Sequence, residues 1–358
     1  MSAVLSVEPF LQVSDAQVYN PLTDRTLKAG EPGFAELKAL AARPPIPTSL
    51  SPEVERRLAA DGWLVAGGAD TSRFRLKYVS LEGHTVCNQA CYFCPVSIAP
   101  RAPHAMPMEM YERIAGELAA YRDTLEGVFM INYNEPTADP RFLEQVKVLK
   151  KNGLPAAVLT NGWGLTPERV DALIEMGGLR YLSVNLSTLD RARYAKDRGA
   201  DHLPIVLKNL EYVKDKPVAQ EMVVVVLGRG DAVHKQDFED IRARYAGSLF
   251  EVRTYEVMDR AGHLELGLKP EAPIARLRGC ENVGSRPLQH LHITPHGECV
   301  LCCEDYDERY VVGDLTKSSV AEVLRGPEIA RLRRWTYGLE DAPEDFICRK
   351  CIYALEGT

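Results

Sequence analysis

The chain has 358 residues, 46% hydrophobic and 26% charged, with a formal net charge of −7, which suits a globular protein of two or three domains. It has no apolar run near the roughly 20 residues that span a bilayer, no signal-peptide pattern in MSAVLSVEPF and no Lys/Arg cluster for nucleic acid. A cytoplasmic protein without membrane or nucleic-acid partners is expected, and in that reducing compartment its nine cysteines read as metal ligands or reactive thiols, not disulfides.

Residues 1–75 read as a small α+β module. A hairpin in QVYNPLTDRTLKAG precedes helices in PGFAELKALAAR and SPEVERRLAADG, which a Pro-rich link joins. From 76 to 265 the β-rich runs FRLKYVS, GVFMINYN, AAVLTN, YLSVNLS, EMVVVVLG and FEVRTYEVM alternate with amphipathic ones. In MEMYERIAGELAAYRD, Met110, Ile114, Leu118 and Tyr121 fall on one helical face. TPERVDALIEMGG opens on a Thr166 cap with Pro167 behind it and closes in Gly177-Gly178. PRFLEQVKVLKKNG, LPIVLKNLEYVKD and HKQDFEDIRARYAG complete five helices. Six strands with crossover helices predict an α/β fold, a parallel sheet rolled into a partial (β/α)6 TIM-like barrel with helices outside. Over 266–358 the alternation stops and the remaining six cysteines appear.

CNQACYFCP places Cys87, Cys91 and Cys94 directly after the first barrel strand. Loops at the C-terminal ends of parallel strands are where active sites form. Spacings of four and three would also suit core cysteines on one helix face, but Asn88, Gln89 and Pro95 favour a loop. A three-thiolate zinc site competes, although zinc prefers CxxC pairs with a fourth ligand at hand. Three thiolates on a four-iron cluster leave one iron without a protein ligand. Further on, Cys299xxCys302 and Cys348xxCys351 have zinc-ribbon spacing, so a zinc-stapled scaffold without radical chemistry is the reading from another class.

CxxxCxxC with an aromatic, Phe93, before the third cysteine resembles the signature of the radical S-adenosylmethionine enzymes. The resemblance implies a [4Fe-4S] cluster on Cys87, Cys91 and Cys94, with S-adenosylmethionine on the open iron. It also implies a 5′-deoxyadenosyl radical that takes a hydrogen atom from substrate, and a reducing partner such as flavodoxin or ferredoxin. Tyr133-Asn134-Glu135-Pro136 stands where the family carries Gly-Gly-Glu-Pro, so both glycines are replaced. By the same resemblance Phe93, Asn134, Glu135, Thr160 and Asn161 of LTNGWG, Ser183 and Asn185 of SVNLST, and Arg260 of EVMDRAG are cofactor-binding candidates. Each polar strand end has a plainer reading, the satisfaction of nearby backbone groups.

The C-terminal run, with Cys280 upstream, Gly297 five residues before Cys302 and a closing CxxC pair, resembles the auxiliary-cluster module SPASM or its shorter twitch form. Six cysteines imply one further [4Fe-4S] cluster, on Cys280, Cys302, Cys348 and Cys351 by position. That leaves Cys299 and Cys303. A strand over 298–303 would turn both away from Cys302. They are buried small thiols, or one of them is a hydrogen-atom donor, with Cys303 beside Glu304 the sharper candidate. The stretch LCCEDYDERYVVGDL also resembles family members that act on sugars and other small metabolites.

The expected reaction is epimerisation of a sugar or sugar-containing secondary metabolite, with Cys303, Cys299 and Glu304 as catalytic candidates. Alcohol oxidation using the auxiliary cluster is the alternative. Residues 1–75 resemble in outline the peptide-recognition element of enzymes that modify ribosomal peptides, which makes a leader-bearing peptide the rival substrate; a capping module is the plainer reading. His290, His292 and His296 read as strand-face or substrate-pocket histidines.

Overall fold

The computed structural model describes residues 5–43, 45–46, 48–66, 70–266 and 272–357. The first module holds β1 (Leu5–Val7), β2 (Gln12–Val13), β3 (Gln17–Asn20), β4 (Arg25–Lys28), α1 (Phe34–Ala41), α2 (Pro52–Ala60) and β5 (Leu64–Ala66). β2, β3 and β4 form an antiparallel sheet, and β1 pairs with β5. α2 starts where the Ser51 side chain accepts from the Val54 amide, with Pro52 pre-set for the first turn. Leu37 and Leu58 from the two helices close on Val18, Trp63 and Leu64, a small core of the module's own.

The barrel elements follow in chain order. They are β6 (Tyr78–Leu81), α3 (Met108–Leu118), β7 (Gly127–Phe129), α4 (Phe142–Lys151), β8 (Ala156–Thr160), α5 (Pro167–Glu175), β9 (Leu179–Asn185), α6 (Arg191–Arg198), α7 (Leu203–Val213), β10 (Ala219–Gly228), α8 (Ala232–Arg244) and β11 (Glu251–Glu256). Every neighbouring pair from β6 to β11 is parallel, and β11 is an edge, so the barrel is partial as expected. Val79, Leu81, Val128, Val158, Leu182, Val184, Val224 and Val226 point to the helices and form the main core. Burial of each such side chain contributes about 1.5–3 kcal/mol. Alternation turns Ser80, Phe129, Ser183 and Asn185 to the concave face.

The third part contributes β12 (Leu277–Cys280), α9 (Arg286–Gln289), β13 (His290–Ile293), β14 (Glu298–Val300), β15 (Val311–Asp314), α10 (Val320–Leu324), α11 (Pro327–Thr336) and β16 (Ala354–Glu356). It extends the barrel sheet to nine strands: β13 runs parallel beside β6, with His292 opposite Ser80, and β14 and β15 follow antiparallel. The strand expected over 298–303 ends at Val300, because the chain turns and the Asp305 amide reaches back to the Cys302 carbonyl at 3.2 Å. Cys299 stays in the ladder, opposite Ile293 and Gly313, and is fully buried in the main core. His290 and His292 do share a face, their rings stacked at 4.0 Å, whereas His296 lies beyond the strand and stacks on His104 at 3.9 Å.

The first module docks on this third part. Phe10 meets Tyr337 edge-on at 5.0 Å, and Gln12 Nε2 donates to the carbonyls of Cys280 at 2.7 Å and Gly284 at 2.5 Å. Gly338 follows α11 with φ 59°, and a Cβ there would lie 2.1 Å from the Leu277 carbonyl oxygen, at the start of the strand that carries Cys280. Gly338→Ala is expected to destabilise by about 2 kcal/mol or more, since left-handed backbone alone costs an alanine roughly 1–2 kcal/mol. A denaturant titration that leaves the midpoint unchanged would contradict this.

Candidate active site

The loop from Cys87 to Cys94 is tied to the end of α6. Ala90 N–H donates to the Arg198 carbonyl at 2.9 Å, Tyr92 N–H to Asp197 at 3.0 Å, and Cys94 N–H to Cys91 at 2.9 Å. This close approach uses Gly199, at φ 65°, whose Cβ would stand 3.1 Å from that of Ala90. Cys91 and Phe93 bury with Val257, and Cys94 packs on their edge. Burial pushes the Cys87 thiol up to about 12, with Glu135, Cys91 and Cys94 adding repulsion, and burial raises Cys94 also. These are protonated thiols in want of a positive centre, and binding iron would release their protons.

Glu135 is the hub of the neighbouring turns. It is buried, and its Oε1 accepts from Thr137 N at 3.0 Å, Thr137 Oγ1 at 2.6 Å and Thr160 Oγ1 at 2.6 Å, while Oε2 accepts from Asn161 N at 2.7 Å. Burial raises its pKa against these hydrogen bonds. Asn161 Nδ2 donates to Asn88 Oδ1 at 2.7 Å, so the third strand end reaches into the cysteine loop. Asn134 works within its own turn, donating to the Met130 carbonyl at 3.3 Å and accepting from Asn132 N at 3.3 Å. Ser183 is buried on the concave face, and Asn185 Oδ1 is taken by Ser187 at 3.1 Å and Arg198 Nη2 at 2.7 Å. The structure thus brings Asn161, Glu135 and Thr160 together at the three thiols and links Asn185 to them through a residue the sequence reading missed.

That residue is Arg198. It is 2% exposed, its guanidinium lies 5.0 Å over the Phe93 ring, and Nη1 is 3.8 Å from Cys91 Sγ. α6 itself went unread because RARYAKDR buries Tyr194 as its one large apolar side chain. Its capping signals were there, since Asp190 accepts from Arg193 N at the start and Gly199 ends the helix.

The second group of thiols surrounds one cavity. Cys280, Cys302, Cys348 and Cys351 line it together with Arg286, Glu304, Thr336 and Tyr353. Burial raises all four thiols, Cys348 to about 12, and neighbouring thiols in the same set raise each of Cys302, Cys348 and Cys351 further. Gln12 supports this wall, and Gln12→Ala leaves two carbonyls without their donor, at about 1–3 kcal/mol each. Iron analysis after reconstitution should show partial loss in that variant.

Cys303 stands apart from the four. Its Sγ–H donates to Glu304 Oε1 at 3.7 Å, and Arg260 Nη1 donates to the same oxygen at 3.3 Å. Arg260 lies in a left-handed turn with Ala261 and Gly262 and feels Cys94 as well as Cys303, so it sits between the two thiol groups. Burial disfavours its charge, but Glu304, Tyr133 and these thiols raise its pKa. Tyr133 lies beneath Arg260 and donates its Oη–H to the Cys303 carbonyl. A second cavity, of about 370 Å³, opens on Arg260, His263, Glu304 and Tyr306, within the roughly 300–1,000 Å³ typical of small-molecule sites. Glu304 lines both cavities.

Among the described residues no three His, Cys, Asp or Glu side chains converge as a single metal ion requires. One zinc draws its sulfurs to about 2.3 Å from a common centre; a four-iron cube gives each thiolate its own iron, so thiols spaced round a cavity suit the cube. Asn88 Nδ2, both Asp259 carboxylate oxygens and Arg260 Nε are buried without partners beside the first thiols or in the turn facing them, which suits a polar, zwitterionic cofactor.

Residues 81–242 match the radical SAM superfamily, and residues 280–352 match SPASM, an iron-sulfur cluster-binding domain. The chain carries a radical SAM domain followed by a C-terminal SPASM domain. Radical SAM and SPASM domains bind [4Fe-4S] clusters, and S-adenosylmethionine is the cofactor of the first. Over 112 residues the chain is 30% identical to a tungsten-containing aldehyde ferredoxin oxidoreductase cofactor-modifying protein of Pyrococcus furiosus, a stretch covering 31% of each chain. Over 165 residues it is 26% identical to a GTP 3',8-cyclase of Chlorobaculum tepidum, covering 45% of this chain and 48% of that one. The matches therefore span less than half of these curated relatives.

Three solved structures share the fold of this radical SAM protein. BtrN in complex with AdoMet and 2-DOIA aligns with a TM-score of 0.51 at 17% identity, over 74% of this chain and 87% of its own. Streptococcus suis SuiB bound to precursor peptide SuiA aligns at 0.57 and 11%, over 97% and 93%. AdoMet-bound anSMEcpe aligns at 0.55 and 12%, over 78% and 86%. No described helix is long and apolar enough to cross a membrane.

Proposed function

We propose that this radical SAM protein epimerises a sugar or sugar-containing small molecule, with Cys303 as the hydrogen-atom donor. The observation that carries the proposal is the place of Cys303. It lies outside the four-thiol cavity and is hydrogen-bonded to the carboxylate that walls both that cavity and the one of small-molecule size. In this reading Cys87, Cys91 and Cys94 hold the first cluster and Cys280, Cys302, Cys348 and Cys351 the second. When bound, the first cluster and S-adenosylmethionine supply a 5′-deoxyadenosyl radical that removes a hydrogen atom from a substrate C–H bond.

The chain's own residues then have defined work. Glu135, with Thr160 and Asn161, keeps two strand ends closed over the cysteine loop, and Asn134, Ser183 and Asn185 are the further cofactor-binding candidates of this reading. Phe93 packs on Cys91 and excludes water. Cys303 gives the hydrogen atom of its S–H bond to the substrate carbon, and a C–H bond forms on the opposite face. The sulfur is restored by one electron from a flavodoxin- or ferredoxin-type donor and one proton from solvent, which Glu304 is placed to pass on to the sulfur, with Arg260 as its anchor. Anaerobic turnover of a panel of sugars and aminocyclitols in deuterated water tests the proposal. Release of 5′-deoxyadenosine with one solvent deuterium at an inverted carbon supports it; a ketone without solvent deuterium replaces it with alcohol oxidation.

One observation favours a second reading. The SuiB alignment runs over 97% of the chain, against 74% for BtrN and 78% for anSMEcpe. An N-terminal module aligned with a peptide-bound protein supports a ribosomal-peptide substrate. Its contacts through Phe10 and Gln12 equally support a capping role for residues 1–75. Fluorescence anisotropy with a labelled leader peptide encoded near the gene separates the two, since a cap shows no saturable binding.

A further inference from the structure

We infer that Arg198 is a positioning residue for the first cluster, donating an N–H···S hydrogen bond to Cys91 and thereby raising that cluster's reduction potential. This rests on the assignment of Cys91 as an iron ligand. Arg198 is 2% exposed, and Nη1 lies 3.8 Å from Cys91 Sγ. Nη2 is held by the Asn185 carbonyl at 3.2 Å, Asn185 Oδ1 at 2.7 Å and Ser187 Oγ at 2.7 Å. The planar guanidinium is further fixed between the Phe93 and Tyr194 rings, at 5.0 Å and 5.5 Å. With Nη2 committed to the backbone and side chain at the end of β9, the rigid fork leaves Nη1 aimed at the sulfur. Its carbonyl also accepts from Ala90 N at 2.9 Å, so the residue that addresses the sulfur also anchors the loop carrying it.

Of the three thiols in the motif, Cys91 has an arginine donor, and no carboxylate pairs with Arg198 among the described residues. An unpaired buried cation is costly unless a negative group completes it. A thiolate cluster that gains an electron supplies that negative charge, and hydrogen bonds to its sulfurs together with net charge set its potential. The cation and its N–H therefore favour the reduced state.

The test is an EPR-monitored redox titration of the reconstituted protein without S-adenosylmethionine, comparing wild type with Arg198→Met and Arg198→Lys. Arg198→Met should lower the midpoint of the first cluster, and Arg198→Lys, which keeps the charge but not the fork, should lower it less. The SPASM cluster serves as internal control and should keep its potential in both variants. If Arg198→Met fails to load iron, Arg198→Lys alone decides. An unchanged first-cluster midpoint overturns the inference, also when S-adenosylmethionine affinity falls, because Arg198 would then serve the cofactor's carboxylate instead. Should Cys91→Ala still hold a full first cluster, the ligand assignment itself fails, an outcome distinct from an unshifted potential.

Discussion

Cys91→Ala is expected to lower reconstituted iron from about eight to about four per chain and to abolish release of 5′-deoxyadenosine. Cys351→Ala should also lose about four irons but keep the capacity to cleave S-adenosylmethionine. The asymmetry follows from the arrangement of the thiols. Cys91 packs with Phe93 and Val257 in the loop whose Cys87 feels Glu135, whereas Cys351 lines a separate cavity with Cys280, Cys302 and Cys348. Both sites share a chemical need. Burial holds Cys87 and Cys348 protonated, each with its pKa pushed up to about 12, so a positively charged metal centre is needed to draw out the thiolates and offset their mutual repulsion. Tight zinc in place of iron, with no S-adenosylmethionine cleavage, would return the protein to the scaffold reading. Iron and sulfide analysis with chromatography of the nucleoside product distinguishes the cases.

The barrel was legible because its helices show one apolar face, as in Met110, Ile114 and Leu118 on α3, while its strands read as short β-branched runs, as in the four valines 223–226 on β10. Its continuation was not. β13 is the four-residue run HLHI and β14 the three-residue run ECV, too short for any period to register. Their place in the sheet is set by pairing with β6 and β15, a tertiary fact. The same limit governed Cys303. Its separation from Cys299 depends on where β14 ends, which the Cys302 to Asp305 turn decides and residue alternation does not. Arg198 was hidden differently. A charged helix looks like a solvated surface, and only the fold shows that α6 turns this one arginine inward onto Cys91. The cysteine spacings, by contrast, carried their chemistry in sequence, and the four C-terminal thiols matched by position do line one cavity.

Cys303→Ala should leave S-adenosylmethionine cleavage and both clusters in place while epimer formation and solvent-deuterium incorporation fall to background. Cys303 is a raised, protonated thiol that donates to Glu304, and alanine there removes no thiol from the lining of the four-thiol cavity. Cys299→Ala tests the other spare thiol under the same conditions. Cys299 is fully buried between β13 and β15, in the main core, so its loss should cost about 1 kcal/mol of stability as a small cavity and leave turnover intact. A Cys299 variant that loses deuterium while the Cys303 variant retains it would move the donor to the core thiol, and a path for substrate through β14 would then be required. Glu304→Gln adds the intermediate case. It keeps the side chain's shape but weakens the hold of Arg260, so hydrogen return should slow while 5′-deoxyadenosine continues to form, now uncoupled from product.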